Sequence, residues 1–294
     1  MRALGRFRVL RWWGAALAGT ALAGCHAVLE PAATAGIDGL LRPAETSPGS
    51  VTLEILHLRA GPEKAEAARA LWQSVDEQGL GTTARRRLVA NGFRAGVVGG
   101  PLPGELADLL GIAESDASAA TVPEEERLIT DANAAPRVRR RLVQLDRREH
   151  ASIQASEMRN ELNVLIGREG RLHGRSYRQA QAVYTLKAAP TAGRRAGLSL
   201  VPEVHHGELR NRYQGSEQGI FLMTPSRERE VFDDLMLQAE LSPGEWLVLG
   251  CFPEAGASLG QAFHGIGESA AAEQKLLLVR LLQVPQSEIL ATRP

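Results

Sequence analysis

The chain has 294 residues, 34 basic and 34 acidic side chains, no formal net charge, 44% hydrophobic residues and 4% aromatic residues. This length and apolar content provide for one or two folded domains and exclude global disorder. The balanced charge excludes a general nucleic-acid binder, and two cysteines exclude a disulfide framework and a cysteine-rich zinc site.

Arg2, Arg6, Arg8 and Arg11 precede an uncharged apolar stretch, Trp12 to Gly24. A basic start followed by a short apolar run is the pattern of an export signal. The run is shorter than the roughly 20 residues of a comfortable transmembrane helix. It ends in Leu22-Ala23-Gly24-Cys25. This resembles the lipobox of bacterial lipoproteins, and the resemblance implies that residues 1–24 are removed and Cys25 is lipidated. Several acyl chains hold a protein on a membrane where one holds it only marginally. An ordinary secretory signal with a cysteine after its small residues is the alternative. His26 follows where an aspartate retains lipoproteins in the inner membrane, so the resemblance implies an outer-membrane, periplasm-facing location. The processed chain carries 30 basic and 34 acidic residues, a net charge of −4.

Residues 25–50 are rich in Ala, Pro, Gly, Ser and Thr and read as a flexible tether. Its 25 or so residues would span about 25–30 Å root-mean-square. A small α/β domain is expected at 51–113. Val51, Leu53 and Ile55 alternate with polar residues as in a strand. Pro62 and Glu63 suit the first turn of a helix, and Ala68, Leu71, Trp72 and Val75 recur at helical spacing. Thr82 or Thr83 is placed to cap a second helix that Asn91-Gly92 ends. Phe93 to Val98 reads as a strand, and Pro103 to Leu110 as a helix with Leu106, Leu109 and Leu110 inward.

Residues 114–136 read as a linker, with Glu124-Glu125-Glu126 on a solvated surface. From 137 to 285 the period becomes two. Strands are expected at 137–145, 149–155, 180–188, 196–206, 231–241, 245–252 and 276–284. The last two are apolar on both faces, as central strands are. The fold class is therefore α+β, a small α/β unit followed by a mostly antiparallel β domain.

Candidate chemistry is sparse. His205-His206 is the one close histidine pair, and adjacent strand residues point to opposite faces, which does not suit one metal. Gly256-Ala257-Ser258-Leu259-Gly260 has the letters of a nucleophile elbow, with His264 close behind. An elbow needs a strand directly before its serine and a helix after it, and Pro253-Glu254-Ala255 intervenes. The glycines there read as a mobile loop. Cys251 lies in an apolar run and is expected to be buried. Arg137, Arg139, Arg140, Arg141, Arg147 and Arg148 form the densest basic run. It reads as the solvent face of an edge hairpin, whose charges deter pairing between sheets, with a polyanion site as the alternative. No catalytic residue, cofactor or metal is assigned.

The order of fragments in 136–285 resembles the secretin domain of the outer-membrane pore subunits of type II and III secretion and type IV pilus systems. Pro136-Arg137-Val138 is followed by Ala151-Ser152-Ile153-Gln154. Ala182–Ala188 and Gly197–Val204 (with Pro202-Glu203) stand for the paired strands. Gly244-Glu245-Trp246-Leu247-Val248-Leu249-Gly250-Cys251 precedes Leu259-Gly260-Gln261-Ala262-Phe263, and Glu273 to Pro285 ends the domain. Cys251 stands where the family has a glycine. The resemblance implies a non-catalytic component of a secretion or pilus-type assembly. Its partners would be a lipid bilayer and either further copies in a ring or secretion-system proteins, without nucleic acid. Two other readings stand beside it: a monomeric lipoprotein scaffold or binding module, and a hydrolase built on Ser258 and His264.

Overall fold

Val51 opens a run whose alternate residues are apolar on both faces, and this run becomes β1 (Val51–Ala60). In the structure, a computed structural model, residues 49–100, 102–110, 138–215, 221–266 and 274–285 are described. Cys25, the tether up to residue 48 and the linker at 114–136 lie outside them. After β1, Pro62–Lys64 makes one 3₁₀ turn and continues into α1 (Ala65–Leu71). Then come α2 (Thr82–Ala90), β2 (Phe93–Val98) and α3 (Gly104–Leu110). Gly81, rather than either threonine, is the N-cap of α2, with no side-chain cap bond. Asn91-Gly92 ends α2 as expected, with Gly92 at φ 77°.

The remaining elements are β3 (Val138–Leu145), β4 (Ala151–Gln154), β5 (Arg159–Arg168), β6 (Arg171–Pro190), β7 (Ala196–Gly215) and β8 (Phe221–Val231). They are followed by β9 (Leu237–Leu241), β10 (Trp246–Cys251), α4 (Leu259–His264) and β11 (Gln274–Gln283). The described chain is mostly antiparallel β with few helices.

One sheet has the order β2-β10-β11-β1-β3; the other is built on β4-β6-β7-β8, with β5 added to β6 and β9 to β7. The small α/β domain expected at 51–113 is therefore not set apart. Its strands β1 and β2 are members of the same sheet as β10 and β11, and the described residues all fall in one compact unit. The reason is local. β10 and β11 are apolar on both faces, so they need strands on both edges and packing above and below. β2 covers one side of that pair and β1 the other. The helices α1 and α3 then cover one face through Leu71, Leu106 and Leu109 against Leu58, Val248 and Leu278. Lys64 ties the two helices by donating to the carbonyls of Asp108 (2.8 Å) and Leu109 (3.0 Å) at the end of α3. The other face, with Leu53, Ile55, Leu247, Leu249 and Val279, packs on Tyr184, Leu186, Leu198 and Leu200 of the second sheet. The result is three layers, helix on sheet on sheet.

Two backbone approaches hold the layers in register. Gly260 in α4 donates its N–H to the Asn91 carbonyl at 2.8 Å, and a Cβ at Gly260 would collide with the Gly92 carbonyl. A Cβ at Gly92 would in turn collide with Ser258. Asn91 is 1% exposed. Its Nδ2 donates to the carbonyls of Arg87 and Gly167 (3.0 Å each), and its Oδ1 accepts from the Gly167 N–H at 2.8 Å. One side chain thus stands in for a strand partner along the edge of β5. Of the segment read as a mobile glycine loop, Gly256-Ala257 is an exposed turn, and Ser258-Leu259-Gly260 caps and opens α4, a buried helix.

Candidate functional site

The distinctive geometry lies in β6 and β7, each 20 residues long where strands usually run about 5–6. They pair with each other only from Gln181↔His205 to Pro190↔Ala196. Beyond that they part. The first half of β6 takes β5 as its partner, from Arg159↔Ala180 to Arg168↔Arg171. The second half of β7 takes β8, out to Gly215↔Phe221.

The fork is set by backbone conformation. Gln179 has φ 48° and Gly207 has φ 76°, at positions that continued β6–β7 pairing would place opposite each other. Positive φ breaks the pleat of both strands. The β7–β8 register also shifts between His206 and Arg210. The Arg227 guanidinium fills the crotch, donating to the Gly207 carbonyl and to Gln179 Oε1 at 3.3 Å. Tyr177 donates to Glu230 at 2.8 Å, and its ring lies 5.1 Å from that of His206. These contacts fix the direction in which the two arms leave.

The arms differ in burial. The β5–β6 arm turns at Glu169-Gly170, both at positive φ, as tight two-residue hairpin turns require. It folds back on the core through Leu162, Val164, Ile166 and Tyr177. Its β5 edge is closed by Asn91 and by the Leu165 N–H donating to the Ala257 carbonyl at 2.8 Å. The β7–β8 arm leaves the core: Glu208, Leu209, Arg210 and Asn211 are all exposed. At about 3.3 Å per residue, 207–215 reaches roughly 30 Å. Among the described residues, neither edge of this arm has a strand partner.

Beneath the fork lies a buried polar cluster. His264 is 1% exposed. Its Nδ1 lies 3.0 Å from the Lys275 carbonyl, which only accepts, so Nδ1 carries the proton. Its Nε2 therefore accepts from the Tyr184 hydroxyl at 2.8 Å. Burial pushes the imidazole down to about 3, so it is neutral. Both ring nitrogens are used, and neither meets Ser258. The Ser258 hydroxyl instead caps α4, accepting from the Gln261 N–H at 3.3 Å. The structure thus does not join the serine and histidine that the sequence placed close together: among the described residues His264 makes no bond to Ser258. Cys251 is buried as expected, and burial pushes its thiol up to about 12, far from the thiolate a nucleophile needs.

The other sequence candidates are dispersed. His205 bonds Glu203 at 3.0 Å while His206 faces Tyr177, and no group of three or more His, Cys, Asp or Glu gathers as a metal site among the described residues. Burial pushes the Glu203 carboxyl up, but hydrogen bonds from Thr185 and His205 and the charge of Arg229 outweigh it and leave it lowered. The arginine run is not one solvent face. Arg140 turns to the helix-covered side of its sheet and pairs with buried Glu54, which Arg280 also approaches at 3.8 Å. Arg139 and Arg141 turn to the side facing the second sheet, and Arg147 and Arg148 sit at the turn after β3. Sequence reasoning missed β5, although Leu162, Val164 and Ile166 alternate, and it missed Gln179, which carries no signal for positive φ.

No helix among the described residues is long and apolar enough to cross a membrane, which says nothing of strands. No protein-family model and no curated protein matches the chain. Among solved structures it is similar to the InvG secretin domain β-barrel from the Salmonella SPI-1 injectisome NC-base, at 11% identity and a TM-score of 0.22, covering 81% of this chain and 63% of that one. The chain thus spans less than two thirds of that structure's length, and at this TM-score it is a weak structural neighbour rather than a superposable one.

Proposed function

We propose that the protein is a membrane-anchored envelope lipoprotein, lipidated at Cys25, that acts without catalysis as a secretin-like structural component of a secretion or pilus-type assembly. The observation that carries this reading is the β7–β8 ribbon. A two-stranded hairpin is marginally stable in water by itself, and stability comes with a third strand or a packed face. This ribbon projects with both edges open, so strand addition from a neighbouring copy would satisfy its unpaired N–H and C=O groups. His264 and Tyr184 are hydrogen-bonded to each other, and Cys251 is buried as a thiol.

A second reading, a monomeric scaffold, draws on β8 itself. Pro225 supplies no N–H, and Arg227, Glu228, Arg229 and Glu230 are charges of the kind that guard an edge. Cysteine cross-linking separates the two. Arg210→Cys on the ribbon, in the full chain, is expected to give a cross-linked dimer in high yield in detergent extracts, whereas Arg148→Cys is expected to give only monomer. Equal, weak cross-linking at both positions would leave the monomeric reading standing and remove the assembly reading.

A further inference from the structure

The strand registers concentrate positive charge at one end of the sandwich. In the β1–β11 pair, Arg59 stands directly opposite Lys275. In the β1–β3 pair, His57 stands directly opposite Arg139, and Arg141 lies one step along the same face, opposite Ile55. Directly paired residues share a face. Ile55, Leu277 and Val279 belong to the core between the sheets, so these basic residues face the second sheet where the apolar core stops. There the turn between β4 and β5 completes the wall. Lys275 Nζ donates to the Ala155 carbonyl at 2.9 Å, and Arg159 donates to the Gly265 carbonyl at 3.3 Å.

Like charges directly opposite each other in a sheet are destabilising. The consequence falls on the protonation of the most buried members. Burial, then Arg159 and Arg59, lower Lys275 to about 8, with Glu157 opposing. Burial, then Lys275 and Arg139, hold His57 below its ordinary value. His264, in the same neighbourhood, is neutral and adds no charge.

We propose that this end of the sandwich, with His57, Arg139, Lys275 and Arg159 as its walls and Arg141 at its rim, binds a phosphate-class oxyanion, a phosphomonoester or pyrophosphate group carrying two or more charges. The donors come from four strands, β1, β3, β5 and β11. A tetrahedral oxyanion accepts hydrogen bonds in several directions and neutralises more than one cation, whereas a carboxylate is planar and carries one charge. Arg139 and Arg141 are exposed, which leaves an entry path.

The test is calorimetric titration of the full chain in mild detergent with sodium pyrophosphate, at constant ionic strength. Wild type is expected to bind. The double variant Arg139→Gln/Arg141→Gln is expected to bind roughly tenfold or more weakly, as loss of charge-assisted hydrogen bonds implies. The double variant Arg147→Gln/Arg148→Gln, at the far end of the same strand, is expected to bind like wild type. Unchanged melting temperatures show that each variant folds. Flotation with phosphatidylcholine vesicles, with and without phosphatidic acid, distinguishes the source. A gain from phosphatidic acid that the first variant loses assigns a lipid headgroup. Pyrophosphate binding without that gain assigns a soluble phosphate. If pyrophosphate and phosphatidic acid both fail to bind, or if the two variants weaken binding equally, the site does not exist.

Discussion

Single atoms at His264 decide a pH dependence. Burial lowers its folded pKa to about 3, while the unfolded imidazole titrates near 6.5. Between those values the unfolded chain binds one more proton than the folded chain, so folding weakens as the pH falls from 6.5 toward 3. The slope contributed is at most about 1.4 kcal/mol per pH unit. His57, also lowered by burial, adds in the same direction. Urea unfolding between pH 7 and 5 is expected to show this decline, with a shallower one in His264→Gln; identical slopes would remove the assignment. The partner matters equally. Tyr184→Phe leaves the buried Nε2 without its donor and is expected to cost about 1–3 kcal/mol, read from the urea midpoint at pH 7. A change within a few tenths of a kcal/mol would show that Nε2 finds another donor.

Gly260 is the clearest steric constraint at this scale. Gly260→Ala drives a methyl into the Gly92 carbonyl, backbone that cannot swing aside. The expected loss is about 3 kcal/mol or more, beyond ordinary overpacking. Gly174→Ala is the control: nothing lies within 4 Å of its Cβ position, and its stability is expected to stay near wild type. Equal melting temperatures for the two variants would contradict the close approach of α4 to the end of α2.

At the scale of elements, the fork depends on Gly207 more than on its neighbours. A β-branched residue resists its φ of 76°, so Gly207→Val is expected to cost about 1–2 kcal/mol and to loosen the ribbon. Limited proteolysis should then cut faster within 207–226, with the rest of the fragment pattern unchanged. Unaltered cleavage would mean that the ribbon's direction is set elsewhere.

Much of the sheet content was legible beforehand, because alternation and two-sided apolar runs report burial directly. Phe93–Val98 and the two central strands β10 and β11 lie where their patterns put them. The first half of β6 and the second half of β7 were not legible. Their residues, such as Arg171-Leu172-His173-Gly174-Arg175, are held by hairpin partners rather than by an apolar face, so hydrophobic period carries no trace of them. The segment 231–241 alternates throughout, yet Asp233–Leu235 is a 3₁₀ turn between β8 and β9, because Leu235 can be buried from either conformation. Domain separation failed for a different reason. Pairing between β1 and β11 joins residues over 200 positions apart, and no local pattern records a partner at that distance. The fork residues Gln179 and Arg227 were invisible for the same reason, while the burial of Cys251 was legible from its apolar neighbours.

At the scale of the whole molecule, three packed layers form a rigid base and one ribbon leaves it. The base closes its β5 edge with Asn91 and the Ala257 carbonyl; both edges of the ribbon stay open among the described residues. A ribbon with two open edges beside a closed β5 edge suits the proposed assembling subunit. On the proposed reading, assembly rests on the ribbon, 207–226, and the folded base does not depend on it. The most direct measurement is the native mass of the full chain after gentle detergent extraction, beside a variant in which residues 209–224 are replaced by Asn-Gly. The full chain is expected to be a stable multimer, and the variant a monomer of unchanged melting temperature. A full chain that is itself monomeric, or a multimer that survives removal of the ribbon, would contradict the assembly reading.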